Sequence, residues 1–143
     1  MDENAFWLLI EECGPPTPDP EGEELAAALE ARLAKGPVSA VVGFAERLAE
    51  LLYRLDRREY GEDLSGDAFL YVRAAVIVAG RREYEAVLAD PRRFAPFAAD
   101  QVWAESLIYV PDRAYEGLTG REWSRDTRYS FESYSNTAGW ERG

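Results

Sequence analysis

From Ala68 to Ala79 the chain is apolar at every position except Arg73. A helix that is apolar almost all round must be covered on every side, so this run predicts a buried central helix. Its borders are marked. Ser65 is a good N-cap, because its hydroxyl accepts a free amide of the first turn. Asp67 places a negative charge where the helix dipole favours it. Gly80 offers the left-handed conformation that ends helices. Beyond it Tyr84, Val87 and Leu88 share one face of a second helix, and Asp90-Pro91 stops that helix, since a residue before proline is pushed out of the helical region.

The segments before this unit read as helices that pack on it. Residues 3 to 13 put Phe6, Trp7 and Ile10 on one face. Residues 14 to 20 hold four prolines and form a stiff linker. Residues 21 to 35 carry Leu25, Leu29 and Leu33 at four-residue spacing, with acids in the first turn and Arg32 and Lys35 in the last. After Gly36-Pro37, residues 37 to 58 predict the longest helix, about 30 Å. Val41, Phe44, Leu48, Leu51, Leu52 and Leu55 form its apolar stripe, and a charged hinge from Asp56 to Asp63 follows.

After Pro91 the pattern loosens. Phe94 and Phe97 are expected to plug the bundle end, and residues 101 to 110 to form a helix with Val102, Trp103, Leu107 and Ile108 apolar. Pro111 restarts a helix that runs to Gly120. The tail, residues 121 to 143, has no helical period yet holds Trp123, Tyr129, Phe131, Tyr134 and Trp140. It is expected to lie extended on the bundle, with Trp140 the most weakly held. The fold expected is all-α: an irregular bundle of about six helices with an extended aromatic C-terminal tail, as one domain over residues 1 to 143.

The central unit also carries a resemblance. Ser65, Asp67, Phe69, Arg73, Ile77, Gly80, Arg81, Glu85, Leu88, Asp90 and Pro91 fall in register with the pattern S-D-D-x-F-x-x-F-R-x-W-L-I-x-x-G-R-E-x-F-E-x-A-L-x-D-P. Phe6-Trp7, Leu107-Ile108-Tyr109, Ala114-Tyr115-Glu116 and Thr119-Gly120 agree as well. In these residues the chain resembles the bacterial family known as domain of unknown function 4240. The pattern's tryptophan is Ala75 here, and the segment before Ser65 is shorter and more charged than usual. The resemblance implies a small helical domain of bacterial origin and brings no activity with it.

Charge and residue types narrow the chemistry. The 27 acidic residues outnumber the 16 basic ones, for a net charge of -11, which argues against nonspecific nucleic-acid binding. Lys35 is the lone lysine and Cys13 the lone cysteine. One cysteine forms no internal disulfide, which fits a reducing cytoplasm. No leader and no membrane-spanning run is read, so the expectation is a cytoplasmic protein without membrane contact. There is no histidine. That removes the commonest general base and most zinc sites. No phosphate-binding glycine loop appears, and no catalytic residue, metal site or cofactor is assigned. Asp63, Asp67, Glu83 and Asp90 supply oxygens for a hard cation, but their spacing matches no acidic motif, and helix-start and turn roles account for them.

Arg73 is the sharper candidate. A charge buried in a helix must be partnered. The preferred reading is a salt bridge to an acid of another helix, such as Glu46 or Glu83. The functional alternative is an anion site built from Arg73 and Arg81 with Ser65 and Asp67. The aromatic tail is the other candidate: Trp123, Tyr129, Phe131, Tyr134 and Trp140 either cover the bundle or meet a protein partner. The functional expectation is a non-enzymatic protein-interaction or regulatory module with an unidentified protein partner. The alternative is an enzyme or sensor that binds an anionic small molecule through Arg73 and its neighbours.

Overall fold

The computed structural model describes residues 1–141. The described residues contain ten α-helical segments and one 3-10 turn, and no strand. Six segments are nine residues or longer: α1 (Glu3–Cys13), α2 (Glu23–Leu33), α3 (Val38–Arg54), α5 (Gly66–Val78), α6 (Arg81–Ala89) and α9 (Val110–Thr119). Four are about one turn: α4 (Arg58–Gly61), α7 (Ala95–Ala99), α8 (Glu105–Ile108) and α10 (Thr137–Trp140). The protein is thus all-helical, with more segments than the six expected, because short turns join the long helices.

The centre is α5, as its composition requires. Phe69, Leu70, Val72, Arg73, Ala74, Ala75, Val76 and Ile77 are all buried. Ser65 caps it, its hydroxyl accepting the Ala68 amide at 3.2 Å. Helices α3, α6, α7 and α8 pack against α5, while α2 and α9 pair with one another and α9 also lies on α3. The apolar stripe of α3 is buried from Val41 to Leu52. Helix α1 docks through Phe6, Trp7 and Ile10, with the Phe6 ring stacked 5.0 Å from that of Phe44.

Helix α2 begins later than its charge pattern suggested, because the linker supplies its cap. The Asp19 carboxylate accepts the amides of Glu24 and Leu25 at 3.4 and 3.0 Å. Gly22 stands at the start with φ +69, and a Cβ there would lie 2.6 Å from the Val78 side chain. Only glycine suits that junction. Gly80 takes φ 103 and ψ 170 rather than the left-handed helical values, and it leads straight from α5 into α6.

Three expectations are corrected. The helix expected to reach residue 58 stops at Arg54, because Leu55 and Asp56 turn the chain so that the Asp56 side chain points inward. No helix spans residues 101 to 110. Gln101 adopts φ 50, Val102 donates its amide to Phe97 O at 3.1 Å, and Ala104 donates its amide to Tyr71 O at 3.1 Å. Those amides serve α7 and α5 instead of a helix ladder, and Trp103 is left 43% exposed. Finally, the tail ends in the single turn α10, where the Trp140 indole donates to Asp56 Oδ1 at 2.8 Å instead of standing free.

Helix α4 meets α5 closely. A Cβ on the buried Gly61 would lie 2.7 Å from three atoms of the Phe69 ring. That ring is itself wedged edge-on between Phe94 and Trp140. Gly61→Ala should therefore destabilise the protein by about 1–3 kcal/mol, as overpacking does. Urea denaturation checks this, and an unchanged midpoint would show that Phe69 can move aside.

Candidate functional site

Arg73 is fully buried, and its partners are main-chain oxygens and a hydroxyl. Nη1 donates to Leu52 O at 2.9 Å, at the end of α3. Nη2 donates to Phe131 O at 3.0 Å and to Ser133 Oγ at 2.9 Å, both in the tail. The guanidinium lies 4.5 Å from the Phe69 ring centre, one helical turn back on α5. Nε has no hydrogen-bond partner among the described residues. Burial pushes the Arg73 pKa down to about 10, against the pull of the negative charges on Asp56 and Glu132.

The expected salt bridge is corrected by this geometry. Among the described residues no carboxylate forms an ion pair with Arg73, and Glu46 instead accepts the Arg128 amide at 2.9 Å. A main-chain carbonyl carries no net charge but accepts without needing full desolvation of a second ion. The acid near Arg73 is Asp56, also fully buried. Its carboxylate accepts the Tyr134 amide at 2.9 Å, the Asn136 amide at 2.8 Å and Trp140 Nε1 at 2.8 Å. One buried cation and one buried anion thus hold the carbonyls and amides of the same tail segment.

Asp56 opens the charged hinge of residues 56 to 63. A signal for its burial was present: it follows Leu48 and Leu52 at four-residue spacing, on the stripe that is otherwise apolar. What the spacing does not show is which groups satisfy it, since those lie about eighty residues later.

The other candidate ligand residues do not converge with Arg73. Ser65 and Asp67 sit at the start of α5, and Arg81 lies beyond its other end, about 20 Å away along the axis. Arg81 donates to Glu85 Oε1 at 3.0 Å and to Asn4 Oδ1 at 2.7 Å. With Arg82, Trp7, Leu8 and Val78 it lines an open cleft of about 560 Å³. Ala75 lines a different, mainly apolar cleft of about 370 Å³ with Pro18, Phe97 and Val102. No group of three or more carboxylate or thiol side chains converges as a metal site among the described residues.

The tail aromatics divide by contact. Trp123 stands edge-on to Tyr115 at 5.3 Å, and Tyr129 lies 4.8 Å from the Tyr53 ring. Phe131 packs against the core. Trp140 stands edge-on to Phe69 at 5.7 Å, and Tyr134, half exposed with φ 72, leans on Trp140.

A second surface was not read from the sequence. The Ala104–Tyr71 hydrogen bond sets Trp103 beside Tyr71, ring centres 6.2 Å apart. Tyr109, 38% exposed, donates to Glu105 Oε1 at 2.9 Å, and that bond, with some burial, pushes its pKa up to about 12. Tyr71 feels the charges of Glu105 and Asp67. Arg113 lies 5.5 Å over the Tyr109 ring. Trp103 and Tyr109 are exposed aromatics on one face, among carboxylates. The signal that could have exposed this face is Gln101-Val102-Trp103-Ala104, a break that helical spacing alone disguises.

The profile of a family described as protein of unknown function (DUF4240) matches residues 1–117, most of the chain, and the chain belongs to that family. The matched span holds Asp56, Arg73 and the Tyr71–Tyr109 face, and ends within α9, before the tail. No curated protein and no solved structure matches the chain.

Replacing Arg73 removes the donor from Leu52 O, Phe131 O and Ser133 Oγ together. Arg73→Met should lower stability by about 3 kcal/mol, since each lost bond to a charged donor is worth about 1.5–3 kcal/mol and the losses overlap. Denaturant titration measures this, and near-normal stability would mean that the aromatic contacts alone hold the tail.

Proposed function

We propose that this family member is a non-enzymatic protein-interaction module, of regulatory use to the cell, that docks a basic partner on the face formed by Tyr71, Trp103 and Tyr109. The observation that carries the reading is the exposure of Trp103 and Tyr109 beside Glu105 in a chain of net charge -11. Exposed aromatic rings bury much area for few frozen torsions, and tryptophan is the best acceptor of a cation over its face. The negative field steers a basic partner to the surface and fixes its orientation. The left-handed backbone at Gln101 supports the reading, because strained residues gather at binding sites.

A second reading keeps the anionic small molecule but moves its site. Arg73 faces the tail, so the cleft beside Arg81 and Arg82, lined by Trp7 and Leu8, is the place that supports it.

Cross-linking in the source cells tests the first reading. The wild-type chain should trap one basic protein, and Trp103→Ala should reduce the yield more than tenfold, the scale of a central aromatic contact. Recovery unaffected by Trp103→Ala would overturn it.

A further inference from the structure

We propose that residues 128 to 141 are a built-in ligand in a peptide-binding groove, and that the groove accepts a segment of the same chemistry from another protein. This goes beyond the docking face, which lies elsewhere. Phe69 and Arg73 are one helical turn apart and face the tail. Tyr71, two residues from each, is turned about 200° away.

The groove is made by Asp56, the carbonyls of Tyr53 and Gly66, the Phe69 ring and Arg73. All lie in the span matched by the family profile, and the segment that fills the groove lies outside it. The family domain therefore supplies the receptor atoms, and a separate stretch of this chain supplies the ligand.

The contacts have the form of peptide recognition. Phe131 O, the Tyr134 amide and the Asn136 amide are main-chain groups that any peptide offers. Three side chains add selectivity, among them Asn136, whose Nδ2 donates to Tyr53 O at 3.3 Å. Ser133 Oγ accepts from Arg73 and donates to Gly66 O at 2.7 Å. The Trp140 indole donates to Asp56 and rests edge-on against Phe69. Main-chain bonds supply affinity and side-chain contacts supply choice, as in other grooves that bind extended peptides. The ligand class is then a segment with a hydroxyl residue followed seven positions on by tryptophan, as Ser133 precedes Trp140.

The link to the bundle is fixed at Trp123, edge-on to Tyr115, and is mostly exposed elsewhere. Arg121, Glu122, Ser124, Arg125 and Asp126 are exposed. Among the described residues, the side-chain hydrogen bonds of residues 121–127 stay within two residues of sequence. A short tether keeps the tail at an effective concentration in the millimolar range, so an outside segment competes only when it is abundant or held nearby. An empty groove is costly, because Asp56 would lose its three donors and Arg73 would keep only Leu52 O.

The test uses the full chain and a fluorescent peptide of residues 128–141. Trp140→Ala in the protein loosens its own tail while keeping the receptor atoms. That variant should bind the peptide at least tenfold more tightly than wild type, and a peptide carrying Ser133→Ala and Trp140→Ala should lose binding. Trp103→Ala should not alter it, which separates this result from the docking face. A folded Trp140→Ala protein that binds no better than wild type overturns the proposal. If that variant does not fold, hydrogen exchange of the wild type decides. The Tyr134 and Asn136 amides should exchange at least a hundredfold faster than those of Val72 to Ile77. Equal protection would make the tail part of the core and overturn the proposal.

Discussion

A guanidinium and a carboxylate, both fully buried, draw most of their hydrogen bonds from one distant segment rather than from each other. Arg73 needs acceptors that α5 does not have free, since its interior carbonyls are spent on helix hydrogen bonds, and Asp56, in the turn after α3, needs donors from outside that turn. Leu52 O is available because α3 ends two residues later, and the rest comes from residues 131 to 140. The break at Leu55, the path of the tail and the anchoring of Trp140 all follow from the need to pair these two charges.

The arrangement lowers the cost of burying both charges. A buried ion pair recovers little of its desolvation cost, whereas several bonds to amides and carbonyls spread each charge over fixed dipoles. Asp56 gathers three N–H donors and Arg73 gathers three acceptors, and the two neutralise one another at longer range. Phe69 ties the set to the apolar core, with the guanidinium on its face, and the Phe94 and Trp140 rings edge-on around it. Polar and aromatic contacts here act as one unit.

Helix α5 presents different chemistry on its two sides. Its Phe69 and Arg73 side grips the tail, while Tyr71 looks outward to Trp103, Glu105 and Tyr109. The bond from the Ala104 amide to Tyr71 O couples that outer face to the same helix. A rigid buried helix is well suited to this, because its side chains are held by packing on all sides. The outer surface combines the exposed Trp103 and Tyr109 rings with the Glu105 carboxylate and the Arg113 guanidinium.

Local pattern alone was enough for the existence of α1, α2, α3, α5, α6 and the restart at Pro111, though not for the start of α2 or the end of α3, because the apolar spacing lies within a single element. Ser65, Gly80 and Pro91 mark borders by their own backbone chemistry, and the apolar run around Arg73 required a buried helix with a buried charge. The all-helical class follows from these. The partners of that charge did not, because Leu52, Phe131 and Ser133 stand 21, 58 and 60 positions from Arg73. The same holds for Asp56, whose place on the apolar stripe was visible while its donors were not. Trp103 fitted a helical apolar face in the sequence, and only the pairing of Ala104 with Tyr71 turned it outward. Spacing reports which face of an element a residue occupies. What covers that face is settled by the packing of elements far apart in the chain.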